Sequence, residues 1–191
     1  MRRESRCRGR CYPARRGFLL ATLLFLARPL AGSDDLLVRE LKVAYLYNFT
    51  RFIDWPETPR GDAFVIAVIG DAPLAEALRT LEQPDRQARG QPIRIRASDS
   101  VGTIDDCQML FVGAAAVGEL PRIRALTAGK PILLVGDSAG LAGRGVAINF
   151  FLKPDILGKG QQLRFAIDPK ALKARGFRVA AQLYEVAEIV P

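Results

Sequence analysis

Between Asp35 and Phe52 the apolar positions Leu37, Val38, Leu41, Tyr45, Phe49 and Phe52 recur at the 3.6-residue period of an amphipathic helix. Pro56 stops that helix, because proline disfavours the helical conformation of Trp55 and has no N–H to donate. Five aromatic residues, including the only tryptophan, fall within the fourteen positions from Val43 to Pro56. Asn48 lies on the apolar arc, where its amide needs partners. Either neighbouring backbone in a core supplies them, or the aromatic end around Arg51, Phe52 and Trp55 is partly exposed and binds something.

The pattern then changes period. Ala63 to Gly70 is a continuous apolar run of strand length, as in strands buried on both faces of an α/β sheet. Asp71 and Pro73 open a helix over Leu74 to Leu81. Residues 82 to 90 read as a polar loop, and Pro92 to Ala97 alternates apolar with charged residues as an edge strand does. A short helix is expected within Ser98 to Cys107, a buried strand over Met109 to Gly113, and a helix over Val117 to Ala128 that begins beside Pro121. Pro131 to Ser138 repeats the first strand pattern, again ending in Gly-Asp. The repetition of strand and helix predicts a mainly parallel sheet, with Asp71 and Asp137 on one rim. Gly145 to Leu152 and Gln161 to Ile167 follow as an antiparallel hairpin. Asp168-Pro169 caps a helix through Arg175, and Val179 to Val190 forms the last helix.

Charge changes the picture at one end only. The chain has 191 residues, with 28 basic and 20 acidic side chains and a net charge of +8. Residues 1 to 31 hold eight of the basic residues and one of the acidic ones, which leaves 20 against 19 and a net charge of +1. Elsewhere the two signs are interleaved, so no basic patch suggests nucleic acid. The leader joins an arginine-rich start to the apolar run Gly17 to Ala27 and then Pro29 to Gly32. That run suits a signal-peptide core and is short for a bilayer span. Residues 1–31 are therefore expected to be a cleaved signal peptide, with an uncleaved anchor as the alternative, and 32–191 the folded domain. Cys7 and Cys11 would leave with the leader, so Cys107 reads as a small buried hydrophobe at a strand entrance.

The candidate chemistry is sparse. The chain has no histidine, which removes Ser-His-Asp and Cys-His catalysis and the usual zinc sites. The glycines between Gly140 and Gly145 do not lead from a strand into a helix as phosphate loops do, and read as a mobile loop. No metal or cofactor is expected. Asp71 and Asp137 are the one carboxylate pair that could catalyse, although each also suits a helix or turn cap. Arg51, Phe52, Trp55 and Arg178 offer cations and stacking faces for a small anion or aromatic ligand.

Several stretches together resemble the YfiR family of small periplasmic regulators. They are Lys42 to Pro56 (KVAYLYNFTRFIDWP), Gly136-Asp137-Ser138 with Gly140 and Gly145, Ile148-Asn149-Phe150, Leu163 to Ile167 and the two closing helices. The motif residues are Tyr47, Asn48, Phe49, Trp55, Pro56, Gly136, Asp137, Asn149 and Phe150, and the likeness runs from about residue 36 to 190. The resemblance implies a repressor that binds the periplasmic sensor region of an inner-membrane diguanylate cyclase and lowers cyclic di-GMP output. It also implies an outer-membrane lipoprotein that captures the repressor, and it makes a homodimer plausible. Relatives often carry a cysteine in the first strand that can pair with one like Cys107, where this chain has Ile66, Ala67 and Val68. Ala180 and Ala181 stand where serines would cap the last helix.

The sequence thus predicts one exported α/β domain. It has a mixed, mainly parallel sheet of five or six strands flanked by helices, with a C-terminal hairpin and two closing helices. Its expected role is a non-enzymatic regulator acting by protein contact through Arg164, Phe177, Leu183, Tyr184 and Ile189. A periplasmic small-ligand sensor is the alternative, and a carboxylate enzyme a weaker one.

Overall fold

The computed structural model describes residues 31–56, 61–98, 101–104, 106–155 and 160–190. The expected signal peptide, residues 1–31, lies outside them apart from Ala31, as do Cys7 and Cys11. A long first helix, α1 (Ala31–Phe52), leads directly into a short strand, β1 (Ile53–Asp54). The parallel centre of the fold is built from β2 (Phe64–Ile69), β4 (Gln91–Ser98), β5 (Met109–Val112), β6 (Leu133–Gly136) and β7 (Ile148–Pro154). β3 (Gln87–Ala88) pairs antiparallel with β4, and β8 (Gln161–Ile167) antiparallel with β7. β10 (Glu188–Ile189) runs parallel to β8. The order is β10-β8-β7-β6-β5-β2-β4-β3, an eight-stranded sheet. β1 pairs separately with β9 (Arg178–Val179).

Alternation along β2 explains the layers. Phe64, Ile66 and Val68 point to one face, where they pack with α1, α2 (Ala72–Leu78), α4 (Pro169–Ala174) and α5 (Ala181–Val186). Val65, Ala67 and Ile69 point to the other, against Ile123 of α3 (Leu120–Leu126) and the 3₁₀ segments at Val101–Thr103 and Ala114–Glu119. Connections toward β4 and toward β6 therefore use opposite faces, as right-handed crossovers require.

The sheet is larger than five or six strands because two of its members, β3 and β10, are two-residue stretches too short to show a period. The expected loop at 82–90 holds β3, closed onto β4 through Arg89 and Gly90, both at positive φ as a two-residue hairpin demands. The expected last helix over Val179–Val190 contains β9, six residues of α5 and β10. Ala180 at its N-cap makes no side-chain cap bond, and Val190 N–H instead donates to the Ile167 carbonyl, drawing the end of the chain onto the sheet. The glycine-rich loop after β6 is anchored by Leu141 and Val146, both fully buried against Leu120.

The first helix buries an arc rotated from the one its apolar spacing predicts, sharing with it Phe49 and the half-buried Val38 and Tyr45. Leu46, Phe49, Thr50 and Ile53 are inaccessible, whereas Leu37, Leu41 and Phe52 are 57%, 40% and 37% exposed. The reason lies in the sheet. Phe49 and Tyr45 meet Phe150 and Phe165 of the β7–β8 hairpin at centroid distances of 5.2–5.9 Å, and this aromatic cluster fixes the rotation of α1.

Candidate functional site

Two rims of the sheet receive the two ends of the first helix motif. At the rim where the parallel strands begin, Trp55 is 7% exposed. Its ring lies edge-on to Phe64 and Phe177 at 5.0 and 5.5 Å, and its indole N–H donates to the Gln108 carbonyl at 3.0 Å. Pro56 packs on Gly176, where an added Cβ would come within 3.0 Å of it. Trp55 therefore has no open face to stack on a ligand. Arg51 and Arg178 remain exposed, with Arg178 opposite Asp54 in the β1–β9 pair. Asp54 itself pairs with Arg89 at 2.6 Å.

At the opposite rim the strands end in the two Gly-Asp turns. Asp71 Oδ1 accepts the Leu74 N–H at 3.0 Å and caps α2. Gly70 takes φ +74°, and a Cβ there would lie 2.7 Å from Ala116, so this turn must be glycine. A Cβ on Gly136 would similarly come 2.9 Å from Asn149 Oδ1. Asn149, 3% exposed, holds the second turn by donating to the Ser138 carbonyl at 2.9 Å and accepting the Ser138 N–H at 3.4 Å. Asp137 is thereby aimed back at α1. Lys42 Nζ meets its carboxylate at 2.5 Å, with side-chain exposures of 13% and 22%.

Electrostatics follow from that placement. Burial pushes the Asp137 carboxyl above its ordinary range; the Lys42 ammonium pulls it back by hydrogen bond and charge, and the Asp71 carboxylate adds to the rise. The expected approach of Asp71 and Asp137 on one rim is thus present. The crevice where such sheets commonly take a ligand is filled, however, by the chain's own lysine and by Ala116 against Gly70. Both carboxylates are committed, one to a helix cap and one to Lys42. Lys42 escaped sequence reasoning, although its register with Leu46, Phe49 and Ile53 was a readable sign that a cation would be drawn under the helix.

Asn48 is half-buried beside Tyr47 at a recess of about 310 Å³ facing Leu81 and Arg86, and Arg86 lies 5.5 Å over the Tyr47 ring. Asn48 thus borders that recess and not the centre of an apolar arc. Cys107 is 5% exposed at the approach to β5, with its Sγ 3.4 Å from the Ile104 carbonyl. Of the five expected partner-contact residues, Phe177 and Leu183 are each 5% exposed and belong to the core. Arg164 and Ile189 are exposed and Tyr184 half-buried, beside an exposed Val186. Among the described residues no group of three or more histidine, cysteine, aspartate or glutamate side chains could hold a metal. No described helix is long and apolar enough to cross a membrane.

No curated protein matches the chain. The model of the YfiR/HmsC-like family matches residues 39–188, from the third turn of α1 to β10, and includes Lys42, both Gly-Asp turns and Asn149. The chain belongs to the YfiR/HmsC-like family.

Proposed function

We propose that this protein is a periplasmic signalling regulator. It is exported by its leader and restrains the periplasmic sensor region of a membrane-bound diguanylate cyclase, with an outer-membrane lipoprotein capturing it to relieve the restraint. The observation that carries this reading is the family match over residues 39–188. Two features support it. The carboxylates that an enzyme would use are held by an N-cap and an ion pair, and Trp55, which a ligand sensor would offer, is spent in the core.

Contact with the cyclase uses the C-terminal surface, where Arg164, Tyr184, Val186 and Ile189 remain accessible after Phe177 and Leu183 have entered the core. Val186 and Ile189 are 54% and 50% exposed, a high value for aliphatic side chains beside a sheet edge. The test is binding of the cyclase's periplasmic region to Tyr184→Asp with Ile189→Asp. Loss of binding with an unchanged melting temperature is expected; full binding would exclude this surface.

A further inference from the structure

Leu37 and Leu41 on α1 and Leu152 on β7, 57%, 40% and 46% exposed, are not scattered. With Val38 and Leu163 they line one groove of about 760 Å³ between the first part of α1 and the far end of the β7–β8 hairpin. Twist opens it. A strand pair coils away from a straight helix, so Phe150 and Phe165 still meet Tyr45 and Phe49, while Leu152 and its register partner Leu163 leave a wedge beneath Leu41.

The wedge has a sign. Its polar lining includes the carboxylates of Asp34 and Asp35, and no lysine or arginine is among the described residues that line it. It also borders an open strand edge. β10 pairs with β8 only at Ala166 and Ile167, so among the described strands Gln161 to Phe165 has no outer neighbour.

We propose that this groove binds a polypeptide segment of a partner protein in which apolar side chains alternate with arginine or lysine. The apolar side chains enter the wedge and the cations reach the acidic lips. Charge selects this occupant over two others. A second copy meeting the same groove would set acidic lips against acidic lips, and an anionic membrane would be repelled. The inference goes beyond the regulator reading and does not rest on it, since the surface lies on α1 and the hairpin end.

The test uses the processed protein with labelled leucine methyl groups. The probe is a short peptide alternating leucine with arginine, compared with a twin carrying glutamate for arginine. The arginine peptide should move the Leu37, Leu41 and Leu152 signals, with an affinity that falls as salt is added. Leu41→Ser with Leu152→Ser, and separately Asp34→Asn with Asp35→Asn, should each weaken it about tenfold or more without shifting the melting temperature. Equal binding of both peptides would overturn the proposal, as would signals moving elsewhere. Signals that move with protein concentration alone would assign the groove to a second copy and also overturn it.

Discussion

Lys42 of the first helix and Asp137 at the end of β6 form a 2.5 Å ion pair that is mostly shielded from water, and it closes the sheet rim where the Gly-Asp turns lie. Removing one partner leaves the other charge under the helix. Lys42→Met or Asp137→Leu alone should therefore cost about 2 kcal/mol, less than full burial would impose. The double variant should recover much of that loss, with a coupling of about 1–2 kcal/mol in chemical denaturation. Strictly additive losses would show that the pair contributes nothing.

The same pair predicts a pH dependence with a definite sign. Burial, the largest cause, holds the Asp137 carboxyl above its ordinary value, despite Lys42 and with help from Asp71. The folded state therefore binds this proton more tightly than the unfolded chain. Its contribution to stability is fully present below the ordinary carboxylate pKa and is lost as pH rises through the raised value. Asp137→Asn should remove that component, flattening the decline in denaturation midpoint across the acid range. An unchanged slope would contradict the placement of Asp137.

Asn149 makes a separate prediction, because its amide is the clamp on the turn that aims Asp137. Asn149→Leu leaves the Ser138 backbone groups without their partner and should cost about 1–3 kcal/mol. In that background the Lys42–Asp137 coupling should also shrink. Coupling of undiminished size would mean that the turn holds its shape without Asn149.

How much of this was legible depends on the length of each signal. β2, β5, β6 and the β7–β8 hairpin stood out because their apolar runs are buried on both faces or alternate over several residues. Asp71 and Asp168 read correctly as caps, the latter accepting the Lys170 and Ala171 N–H groups at 2.9 Å. β3, β9 and β10 did not, since two residues carry no period and their pairing is decided by distant neighbours. The arc of α1 was misplaced for a related reason. Leu37, Leu41 and Phe52 fit a helical stripe with Phe49 as well as Leu46 and Ile53 do, and only the aromatic cluster on the hairpin chooses between them.

Trp55 supplies a direct optical check, being the chain's one tryptophan. Enclosed by Phe64 and Phe177, it should emit at short wavelength in the folded protein and shift red in a single step with unfolding. Trp55→Phe should keep most of the packing but lose the bond to the Gln108 carbonyl, at about 1 kcal/mol. A native emission already typical of exposed tryptophan would contradict its burial.

The regulator reading is tested most directly by cellular cyclic di-GMP in a strain lacking the gene, restored with the full chain or with a chain lacking residues 1–31. Deletion should raise the level, and the full chain but not the chain lacking residues 1–31 should reverse that rise. An unchanged level on deletion, or reversal by the leaderless form, would contradict the regulator reading.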